Sequence, residues 1–513
     1  MQTFLPALLF LWFHPYEQVL SFIIRWEVIM RTYELFINGE FIPNGDREML
    51  QVLNPATEEV ISEVPKATAA DVEAAIDAAA AAQKEWAKTP PIVRAGYVRE
   101  LAQLVADNRE LFARTNSEEM GKPLAQSMDE AGWLTEYLNY FAEMARHIKG
   151  QIIPSDRPNE NIFMYKMPLG VVAGIMPWNF PLFLIGRKVA PVLMAGCTVV
   201  LKPSSDSPNG CYEFAKLVEK SSLPKGVINV ISGSGAVVGD ALSSSPKVAM
   251  VSMTGSTEAG KKIMKKAADN ITKVSLELGG KAPVIIMNDC KLDETIEHVY
   301  NSRIINTGQA CNCAERIYVQ EGIYDEFVKK IVARFEKTTY GNPLEGAFDM
   351  GPMVNKAQQE HVDDLVKSAI ADGAKVLCGG HPTTVNGKGF FYEPTVITGC
   401  EHGSRIMTEE IFGPVLPITT FKTLDEAFEK ANDCIYGLTS SIYSTNWDTI
   451  MRALNELHYG ETYVNREHFE AFQGFHAGVR QSGLGGDDGE LGLEEFLETH
   501  VCYVDYDLNA QGI

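Results

Sequence analysis

The sequence contains no run of more than two consecutive lysines or arginines, and its overall charge is strongly negative. It has 45 Lys and Arg against 67 Asp and Glu, which gives a formal net charge of −22 at pH 7. An acidic surface repels phosphate groups, so this composition argues against proteins that bind nucleic acid or adhere to anionic membranes. We therefore expect neither nucleic acid nor a membrane as a partner.

Cysteine is scarce and unevenly spaced. The nine cysteines form no regular framework of the kind that disulfide-rich secreted domains use. Only Cys311 and Cys313 lie close together, and the single residue between them does not match the CxxC spacing of a metal site. We expect free thiols, no metal site and a reducing, cytoplasmic location.

A long uninterrupted apolar run is absent as well. Residues 1–26 are apolar and aromatic, but His14, Glu17 and Arg25 interrupt them, which argues against a membrane-spanning helix. No basic residue precedes the densest run and no small-residue cleavage site follows it, as a signal peptide would require. We expect residues 1–30 to be an extension outside the fold, with Met30 as the true start.

The length and the alternation of apolar runs predict a multidomain α/β protein. A chain of 513 residues that is 45% hydrophobic exceeds one ordinary core, so two or three domains are expected. From residue 171 to residue 268, buried-type strands alternate with helices, which predicts a doubly wound parallel sheet that binds ligands at the carboxyl ends of its strands. A second α/β set follows residue 280, and no internal repeat is present.

Local patterns predict individual elements. An Asn-Gly pair at the centre of residues 35–42 is typical of a hairpin. The tail alternates like a lone strand, which needs a partner. Helices are predicted over 68–88, 91–108, 109–120, 128–149, 183–194, 209–220, 237–243, 258–268, 292–305, 324–337, 357–372 and 424–432, and strands over 171–176, 198–201, 227–231, 248–252, 316–320, 414–421, 461–465 and 500–506.

Two short runs supply a nucleophile and a base. The run NTGQAC ends at Cys311, whose thiolate can attack an electrophilic carbon. The run LELGG contains Glu277, whose carboxylate can activate water to release an acyl group. Gly279 and Gly280 allow a ligand to approach the backbone closely. Taken singly, neither run is specific, since most cysteines are inert and most strand-end glutamates are solvated.

Two further runs complete the pattern, PWNFP at residues 177–181 and EEIFGP at residues 409–414. In this order and spacing the four runs resemble the aldehyde dehydrogenase superfamily, from about residue 33 to residue 506. The resemblance implies NAD(P)-dependent, irreversible oxidation of an aldehyde to a carboxylate.

The resemblance also assigns the catalytic roles. Cys311 would be the nucleophile that forms a thiohemiacetal, Glu277 the base for the hydrolytic water, and Asn179 the donor to the oxyanion. Cys313 is a competing thiol, but the preceding Gly-Gln aligns Cys311 with the family position, so Cys313 is expected to serve packing. Asn179 also fits a simple turn before a proline.

A nicotinamide dinucleotide is expected at the carboxyl edge of the first sheet, NAD with NADP possible. The glycine turn at 233–239 is one residue longer than GxGxxG and is weak evidence alone, whereas a helix start after residue 254 suits a pyrophosphate. The predicted contacts are Ile175, Met176, Pro177, Trp178, Arg187, Lys202, Ser205, Gly235, Gly239, Asp240, Gly255, Ser256, Gly279, Glu410 and Phe412.

One cofactor position departs from the family. NAD-preferring members usually carry a glutamate three residues after the strand-end lysine, where this chain has Ser205 after Lys202. Ser205 has no charge to repel a 2′-phosphate, and the adjacent Asp206 should point elsewhere if the segment stays extended. We expect NADP to be accepted better than in relatives that carry the glutamate.

The loop at residues 465–476 and Asn312 resemble the lactaldehyde and glycolaldehyde branch of the family. Glu470, His476 and Asn312 would bond a 2-hydroxyl group, unless Glu470 and His476 merely pair on the surface. The alternatives are another small aldehyde such as a semialdehyde, or a catalytically idle structural protein. A CoA-acylating enzyme is disfavoured, because that group generally lacks the glutamate at position 277.

The family layout sets the expected domains. Residues 31–149 and 168–280 form the dinucleotide-binding domain, and residues 281–494 form the catalytic domain. Residues 150–167 and 495–508 form a small β oligomerisation arm, in which the tail strand pairs with the 150–166 excursion against another subunit. We therefore expect a homotetramer built as a dimer of dimers.

Overall fold

The computed structural model describes residues 30–508, so the predicted extension over residues 1–30 lies, except for Met30, outside the described residues. Two large α/β units make up most of the fold. The strands are β1 Arg31–Thr32, β2 Leu35–Ile37, β3 Glu40–Ile42, β4 Met49–Leu53, β5 Val60–Pro65, β6 Gln151–Pro154, β7 Glu160–Pro168, β8 Val171–Ile175, β9 Thr198–Lys202, β10 Ile228–Val230, β11 Met250–Thr254, β12 Lys273–Glu277, β13 Pro283–Ile286, β14 Arg316–Gln320, β15 Lys375–Cys378, β16 Pro382–Val385, β17 Lys388–Tyr392, β18 Thr395–Thr398, β19 Val415–Phe421, β20 Thr439–Tyr443, β21 Glu461–Val464, β22 Gly483–Leu484 and β23 Leu497–Asp505.

The helices connect these strands in the alternating order that the sequence predicts. They are α1 Ala69–Trp86, α2 Pro91–Asp107, α3 Arg109–Met120, α4 Leu124–Glu143, α5 Pro181–Ala195, α6 Asn209–Lys220, α7 Asp240–Ser244, α8 Thr257–Ala267, α9 Leu292–Ile304, α10 Tyr324–Phe335, α11 Lys356–Ala371, α12 Arg405–Thr408, α13 Leu424–Asn432, α14 Trp447–Glu456 and α15 Gly489–Glu494.

The first unit is an eight-stranded sheet in the order β22-β12-β11-β8-β9-β10-β2-β3. Its five central strands are parallel, and helices pack on both faces, with α4, α5 and α6 on one side and α1, α7 and α8 on the other. The strand order reverses between β8 and β11, which is where such sheets bind ligands. The predicted doubly wound α/β fold is confirmed.

The Asn-Gly hairpin at the edge of this sheet is also confirmed. Strands β2 and β3 are antiparallel, and Asn38 and Gly39 adopt positive φ values of 54° and 74°. Positive φ at both turn positions is the type I′ geometry that matches the twist of the flanking strands.

The second unit is a seven-stranded sheet in the order β15-β18-β19-β14-β13-β20-β21, parallel except for β15. Helices α11, α13 and α14 cover one face and α9 and α10 the other. Its strands therefore have buried faces on both sides, as parallel strands require.

The chain returns to the first unit near its end. Strand β22 pairs antiparallel with β12 at the edge of the first sheet, and Leu493, Phe496 and Leu497 belong to the core of the first unit. Part of the segment that the sequence assigns to the catalytic domain, residues 281–494, is therefore built into the first sheet.

The arm is a three-stranded sheet in the order β23-β7-β6. The tail strand finds the partner that the sequence predicts, with Leu497 opposite Pro168 and Asp505 opposite Glu160. The expectation that this pairing joins two subunits is wrong: the pairing lies within one chain, because Phe496 accepts a backbone hydrogen bond from Leu169 and starts β23 beside β7.

Residues 30–508 contain neither a membrane-spanning helix nor a cluster of metal ligands. No helix there is long and apolar enough to span a membrane, and no group of His, Cys, Asp or Glu side chains is arranged to hold a metal ion.

Candidate active site

Cys311 follows a strained turn. Asn306, Thr307 and Gly308 have φ values of 48°, 59° and 73° in succession, a conformation that costs about 1–3 kcal/mol for a non-glycine residue. At Gly308 an added Cβ would lie 2.2 Å from the Gly413 carbonyl oxygen, so only glycine fits. Since the surrounding contacts fix this turn, the nucleophile is presented at one defined position.

A cavity opens in front of Cys311, with mostly aromatic walls and a few polar groups. Asn179, Asn312, Glu470 and Arg187 are its polar members beside the thiol. The apolar and remaining residues that line it are Trp133, Phe180, Phe183, Leu184, Thr254, Ile305, Ala310, His468, Phe469 and Phe472. A small polar molecule with one apolar side fits such a pocket.

Asn179 is held rigidly at the edge of this cavity. Its backbone carbonyl accepts hydrogen bonds from Lys122 Nζ and Asn306 Nδ2, each over 2.9 Å, and Lys122 forms a buried ion pair with Glu130. The Asn179 side-chain amide donates to the Gln309 carbonyl over 3.3 Å, which leaves its second N–H for a substrate oxygen. A donor fixed before the reaction is what an oxyanion site needs.

Glu277 lies at the end of β12 and is 2% exposed. Among the described residues, neither carboxylate oxygen has a hydrogen-bond partner. Burial raises the pKa of Glu277 to about 8. A carboxylate with a pKa near the working pH and two free acceptor oxygens is suited to take a proton from water.

His476 occupies a different position from the one expected. It is not among the residues that line the described cavity. Its Nδ1 lies 2.9 Å from Glu461 Oε1 and its Nε2 lies 3.7 Å from Glu277 Oε2. The predicted contact with a substrate hydroxyl is therefore not supported, because both ring nitrogens face carboxylates. The predicted alternative, a surface pair with Glu470, is not present either.

Glu470 instead joins Asn312 and Arg187 at the cavity wall. It accepts from Asn312 Nδ2 over 2.5 Å and from Arg187 Nη2 over 3.1 Å. Arg187 is also paired with the buried Asp488 and donates to it from Nε over 3.0 Å. The expected cofactor contact of Arg187 does not agree with this placement, since its guanidinium is committed to two carboxylates of the substrate cavity.

Cys313 is buried behind the turn, as its predicted packing role requires. Its Sγ lies 3.0 Å from the Ala310 carbonyl and 3.2 Å from Arg303 Nη1. Burial raises the pKa of Cys313 to about 12, so this thiol is a poor nucleophile at neutral pH.

A loop of the second unit reaches across to the end of the first sheet. Glu410 Oε1 accepts from the Gly280 N–H over 2.8 Å, and a Cβ at Gly279 would lie 2.5 Å from Glu410 Oε2. The Phe412 ring meets the Trp178 ring edge-on at a centroid distance of 5.3 Å. The residues predicted to hold the nicotinamide end of a cofactor therefore come together between the two units.

Comparison with known proteins agrees with the geometry of the site. The model of the aldehyde dehydrogenase family matches residues 41–502. The chain belongs to the aldehyde dehydrogenase family.

Individual relatives act on different aldehydes. Lactaldehyde dehydrogenase of Escherichia coli is 49% identical over 92% of this chain and 98% of its own length. Glutarate-semialdehyde dehydrogenase of Pseudomonas aeruginosa is 38% identical over 91% of this chain and 97% of its own.

Solved structures share the fold and bind nicotinamide cofactors. A 3,6-anhydro-L-galactose dehydrogenase in complex with NAP has a TM-score of 0.90 and 42% identity, and covers 92% of this chain and 100% of its own. Betaine aldehyde dehydrogenase from Staphylococcus aureus in complex with NAD+ has a TM-score of 0.90 and 36% identity, and covers 94% of this chain and 96% of its own. This aldehyde dehydrogenase accordingly uses a nicotinamide dinucleotide.

The carboxyl edge of the first sheet of this dehydrogenase fits such a cofactor. The Thr254 hydroxyl at the end of β11 is buried and has no partner among the described residues. Added Cβ atoms at Gly235 and Gly239 would meet nothing within 4 Å, so the turn borders open space. At the same edge, Lys202 is the last residue of β9 and Ser205 follows it. Ile175 is the last residue of β8, and Met176 and Pro177 come directly after it.

Three predicted cofactor residues already have partners in the fold. Asp240 forms an ion pair with Lys266 over 3.0 Å, the Gly255 N–H donates to the Glu277 carbonyl, and the Ser256 hydroxyl caps α8. These interactions shape the edge of the sheet.

Proposed function

We propose that this enzyme oxidises short 2-hydroxyaldehydes, such as lactaldehyde and glycolaldehyde, to their carboxylates with NAD or NADP. The observation that carries the proposal is the polar group of Asn312, Glu470 and Arg187 on one wall of an aromatic cavity beside Cys311. The lactaldehyde dehydrogenase relative supports it.

The reaction begins at Cys311. The thiolate attacks the aldehyde carbon, a C–S bond forms, and the carbonyl electron pair moves to oxygen. That oxygen develops its charge against the Asn179 amide, and loss of one such donor typically costs about 3 kcal/mol in the barrier. Bound nicotinamide dinucleotide supplies the acceptor for the hydride that leaves the thiohemiacetal carbon.

Glu277 acts in the second half of the reaction. Its free carboxylate oxygens take a proton from water, and the water oxygen attacks the thioester carbon. The C–S bond breaks, the acid leaves and Cys311 returns as a thiolate. Because Glu277 lies in the first unit and Cys311 in the second, both units are needed for hydrolysis.

The polar wall explains a preference for a 2-hydroxyl group. Glu470 offers an acceptor to the hydroxyl hydrogen, and Asn312 and Arg187 hold that carboxylate in place. An aldehyde without the hydroxyl leaves these polar groups unpaired, which a site of this kind penalises. Arg187 is the cation that lines the cavity, but Asp488 and Glu470 already neutralise its charge. The carboxylate of a semialdehyde substrate would therefore find no free positive charge to bind there.

Steady-state kinetics with a panel of aldehydes tests the proposal. We expect a higher kcat/KM for lactaldehyde and glycolaldehyde than for propanal and acetaldehyde, with NADH or NADPH formation as the signal and CoA omitted. Equal efficiency with propanal and lactaldehyde, or a preference for succinate semialdehyde or betaine aldehyde, would contradict it. Failure to form NADH with any aldehyde would favour an idle structural protein.

A further inference from the structure

Glu315 is a buried carboxylate that takes no part in the chemical steps at Cys311. It lies directly before β14 and is 1% exposed. Two cations pair with it inside the protein: Lys281 Nζ donates to its Oε2 over 2.8 Å, and Arg303 Nη1 donates to its Oε1 over 2.7 Å. Burial opposes the charge of Glu315, but Arg303 and Lys281 outweigh burial and lower its pKa to about 2. Buried ions add little net stability, so the other hydrogen bonds of this carboxylate are informative.

Those other hydrogen bonds reach a loop of the second unit, residues 410–413. The Ile411 N–H donates to Glu315 Oε2 over 3.0 Å, and the Phe412 N–H donates to Glu315 Oε1 over 3.2 Å. Each carboxylate oxygen therefore joins one buried cation to one backbone amide of the 410–413 loop.

The 410–413 loop has a strained conformation that must be held from outside. Phe412 has a φ of 52°, which costs about 1–3 kcal/mol for a non-glycine residue and persists only where the surroundings fix it. Glu315 binds the amides of the loop. Gln358 of α11 binds its carbonyls, because Nε2 donates to the Phe412 carbonyl over 3.0 Å and to the Ile411 carbonyl over 3.3 Å. The direction of the Phe412 ring thus depends on these partners.

The same ion cluster holds the segment that follows the nucleophile. Arg303 Nη1 donates to the Ala314 carbonyl over 2.8 Å and lies 3.2 Å from Cys313 Sγ. Its Nη2 donates to the Gly413 carbonyl, at the end of the 410–413 loop. One buried cluster therefore fixes the nucleophile segment and this loop relative to each other, as a reaction between two bound groups requires.

We propose that Glu315 is a positioning residue, which holds the 410–413 loop in the shape that receives the nicotinamide end of the cofactor before the cofactor binds. Glu410 and Phe412 can then contact the nicotinamide end without a cost for ordering the loop, and a preformed site binds more tightly for that reason. The inference rests on the expected placement of the nicotinamide end beside Glu410 and Phe412, and it is independent of which aldehyde is oxidised.

Glu315→Gln separates this role from the rest of cofactor binding. The amide keeps the size of the side chain but replaces one oxygen with an NH2 group, which cannot accept a hydrogen bond. Either the Ile411 N–H or the Phe412 N–H loses its acceptor, whichever way the amide turns. The adenosine end of the cofactor is expected at Lys202 and Ser205 on the first unit, which the substitution does not alter.

Titration with two ligands measures the effect without turnover. NADH carries the nicotinamide end, and ADP lacks it. In Glu315→Gln we expect the Kd for NADH to rise by roughly tenfold, the value of one buried hydrogen bond to a charged group, while the Kd for ADP changes less than about twofold. An unchanged Kd for NADH in a folded variant overturns the proposal, and so does an equal loss of affinity for both ligands.

Hydrogen exchange in the free enzyme tests the same role without any ligand. Overlapping peptides across residues 408–415 report the Ile411 and Phe412 amides by mass spectrometry. Both amides should be protected in the wild type, and exchange in this segment should be at least about tenfold faster in Glu315→Gln. Fast exchange of both amides in the wild type overturns the proposal even if Glu315→Gln does not fold.

Glu409→Gln is the matched control. Glu409 directly precedes the loop, but its partly exposed carboxylate pairs with Arg405 over 2.7 Å, so the Kd for NADH and the hydrogen exchange should stay near their wild-type values. A change as large as that in Glu315→Gln would contradict the specific role of Glu315. The aldehyde panel tests the proposed function separately, because neither measurement involves an aldehyde or turnover.

Discussion

Asn355 holds Asp206 across the two units of the enzyme. Its Nδ2 donates to Asp206 Oδ1 over 3.0 Å, while its own Oδ1 caps α11 by accepting from the Gln358 N–H over 2.8 Å. The carboxylate that follows Ser205 is therefore tied to the second unit. This contact supports the expectation that Asp206 does not replace the glutamate missing at position 205.

Cofactor choice should accordingly be broad. At a partly solvated site, the repulsion between a carboxylate and the 2′-phosphate of NADP costs a few kcal/mol at most. Without that carboxylate, the preference for NAD over NADP should be smaller by roughly tenfold to a hundredfold. We expect Ser205→Glu to suppress binding and use of NADP with little effect on NAD, measured by cofactor titration and by kcat/KM. If wild type already rejects NADP as strongly as Ser205→Glu, the argument fails, and Asp206→Asn would show whether that acid is responsible.

The two neighbouring cysteines should behave differently when removed. Cys311→Ala should abolish turnover while cofactor affinity and Tm stay nearly unchanged, because the change in volume at the half-buried site is small. Cys313→Ala should retain most activity and lose only the packing and the Arg303 contact, on the order of 1 kcal/mol of stability. Loss of turnover in a well-folded Cys313→Ala would reverse the assignment.

Replacing the acid of the cavity wall should change substrate preference more than overall rate. Glu470→Gln keeps the size of the side chain but removes the charge between Asn312 and Arg187. We expect kcat/KM for lactaldehyde to fall by roughly tenfold to a hundredfold, the value of a buried hydrogen bond to a charged group. Propanal is the internal control and should change little. An equal fall for both aldehydes would place Glu470 in catalysis or folding.

Hydrolysis of the thioester should depend on the ionisation of Glu277. Burial raises its pKa to about 8, and the base must be deprotonated, so the rate of acid release should rise with pH up to about that value. Glu277→Gln should release the acid very slowly at every pH, while the first burst of NADH persists, measured by rapid mixing. A wild-type rate of hydrolysis that is flat from pH 6 to pH 9 would contradict this role.

The same shift has a consequence for stability. The folded-state pKa of Glu277 is raised from 4.5 to about 8, so the fold favours the neutral acid. The neutral Glu277 side chain therefore adds to the free energy of unfolding. This contribution is fully present below about pH 4.5 and is lost as the pH rises through about 8. Glu277→Gln, which is neutral at all pH values, should therefore gain stability relative to wild type above pH 8, as measured by urea denaturation.

The arm should be needed for assembly. Strand β23 and strand β6 are its outer strands, and they expose Tyr503, Val501 and Ile152, apolar side chains that a subunit contact would cover. Deletion of all residues after Glu498 should leave insoluble or dissociated protein. Tyr503→Lys keeps β23 in place and should weaken the proposed tetramer alone, as seen by light scattering. A wild-type enzyme that is a stable, active monomer, or an assembly that neither change affects, would refute the proposal.

Several elements could be predicted from the sequence because local signals agree with the final packing. The helix over residues 209–220, the strand over residues 316–320 and the helix over residues 424–432 have the predicted bounds. The start of α4 was predicted late, at residue 128, because Pro123 precedes it without a capping side chain. Strand β20 was not predicted at all, since its sequence TSSIY is half polar although every residue is buried.

In the candidate site, too, only the features that come from adjacent residues could be predicted from the sequence. The sequence predicts Cys311 and Glu277 from the runs NTGQAC and LELGG, because the residues of each run are adjacent in the chain and lie on one turn or strand end. The pairs that complete the site could not be read: the partner of Arg187 is Asp488, 301 residues later in the chain, and that of His476 is Glu461 on another strand. A single sequence carries no signal for contacts between distant segments, so it could not predict the carboxylate partners of Arg187 and His476.

The return of the chain to the first sheet affects how the protein is made. The outer neighbour of β12, the strand that ends at Glu277, is Gly483–Leu484. At a synthesis rate of 5–20 residues per second, the edge of β12 stays open for roughly 10 to 40 s after β12 is made. Open strand edges are sites of aggregation. We therefore expect the amount of active enzyme in a cell to depend on protection of this edge during synthesis, and not only on the stability of the finished fold.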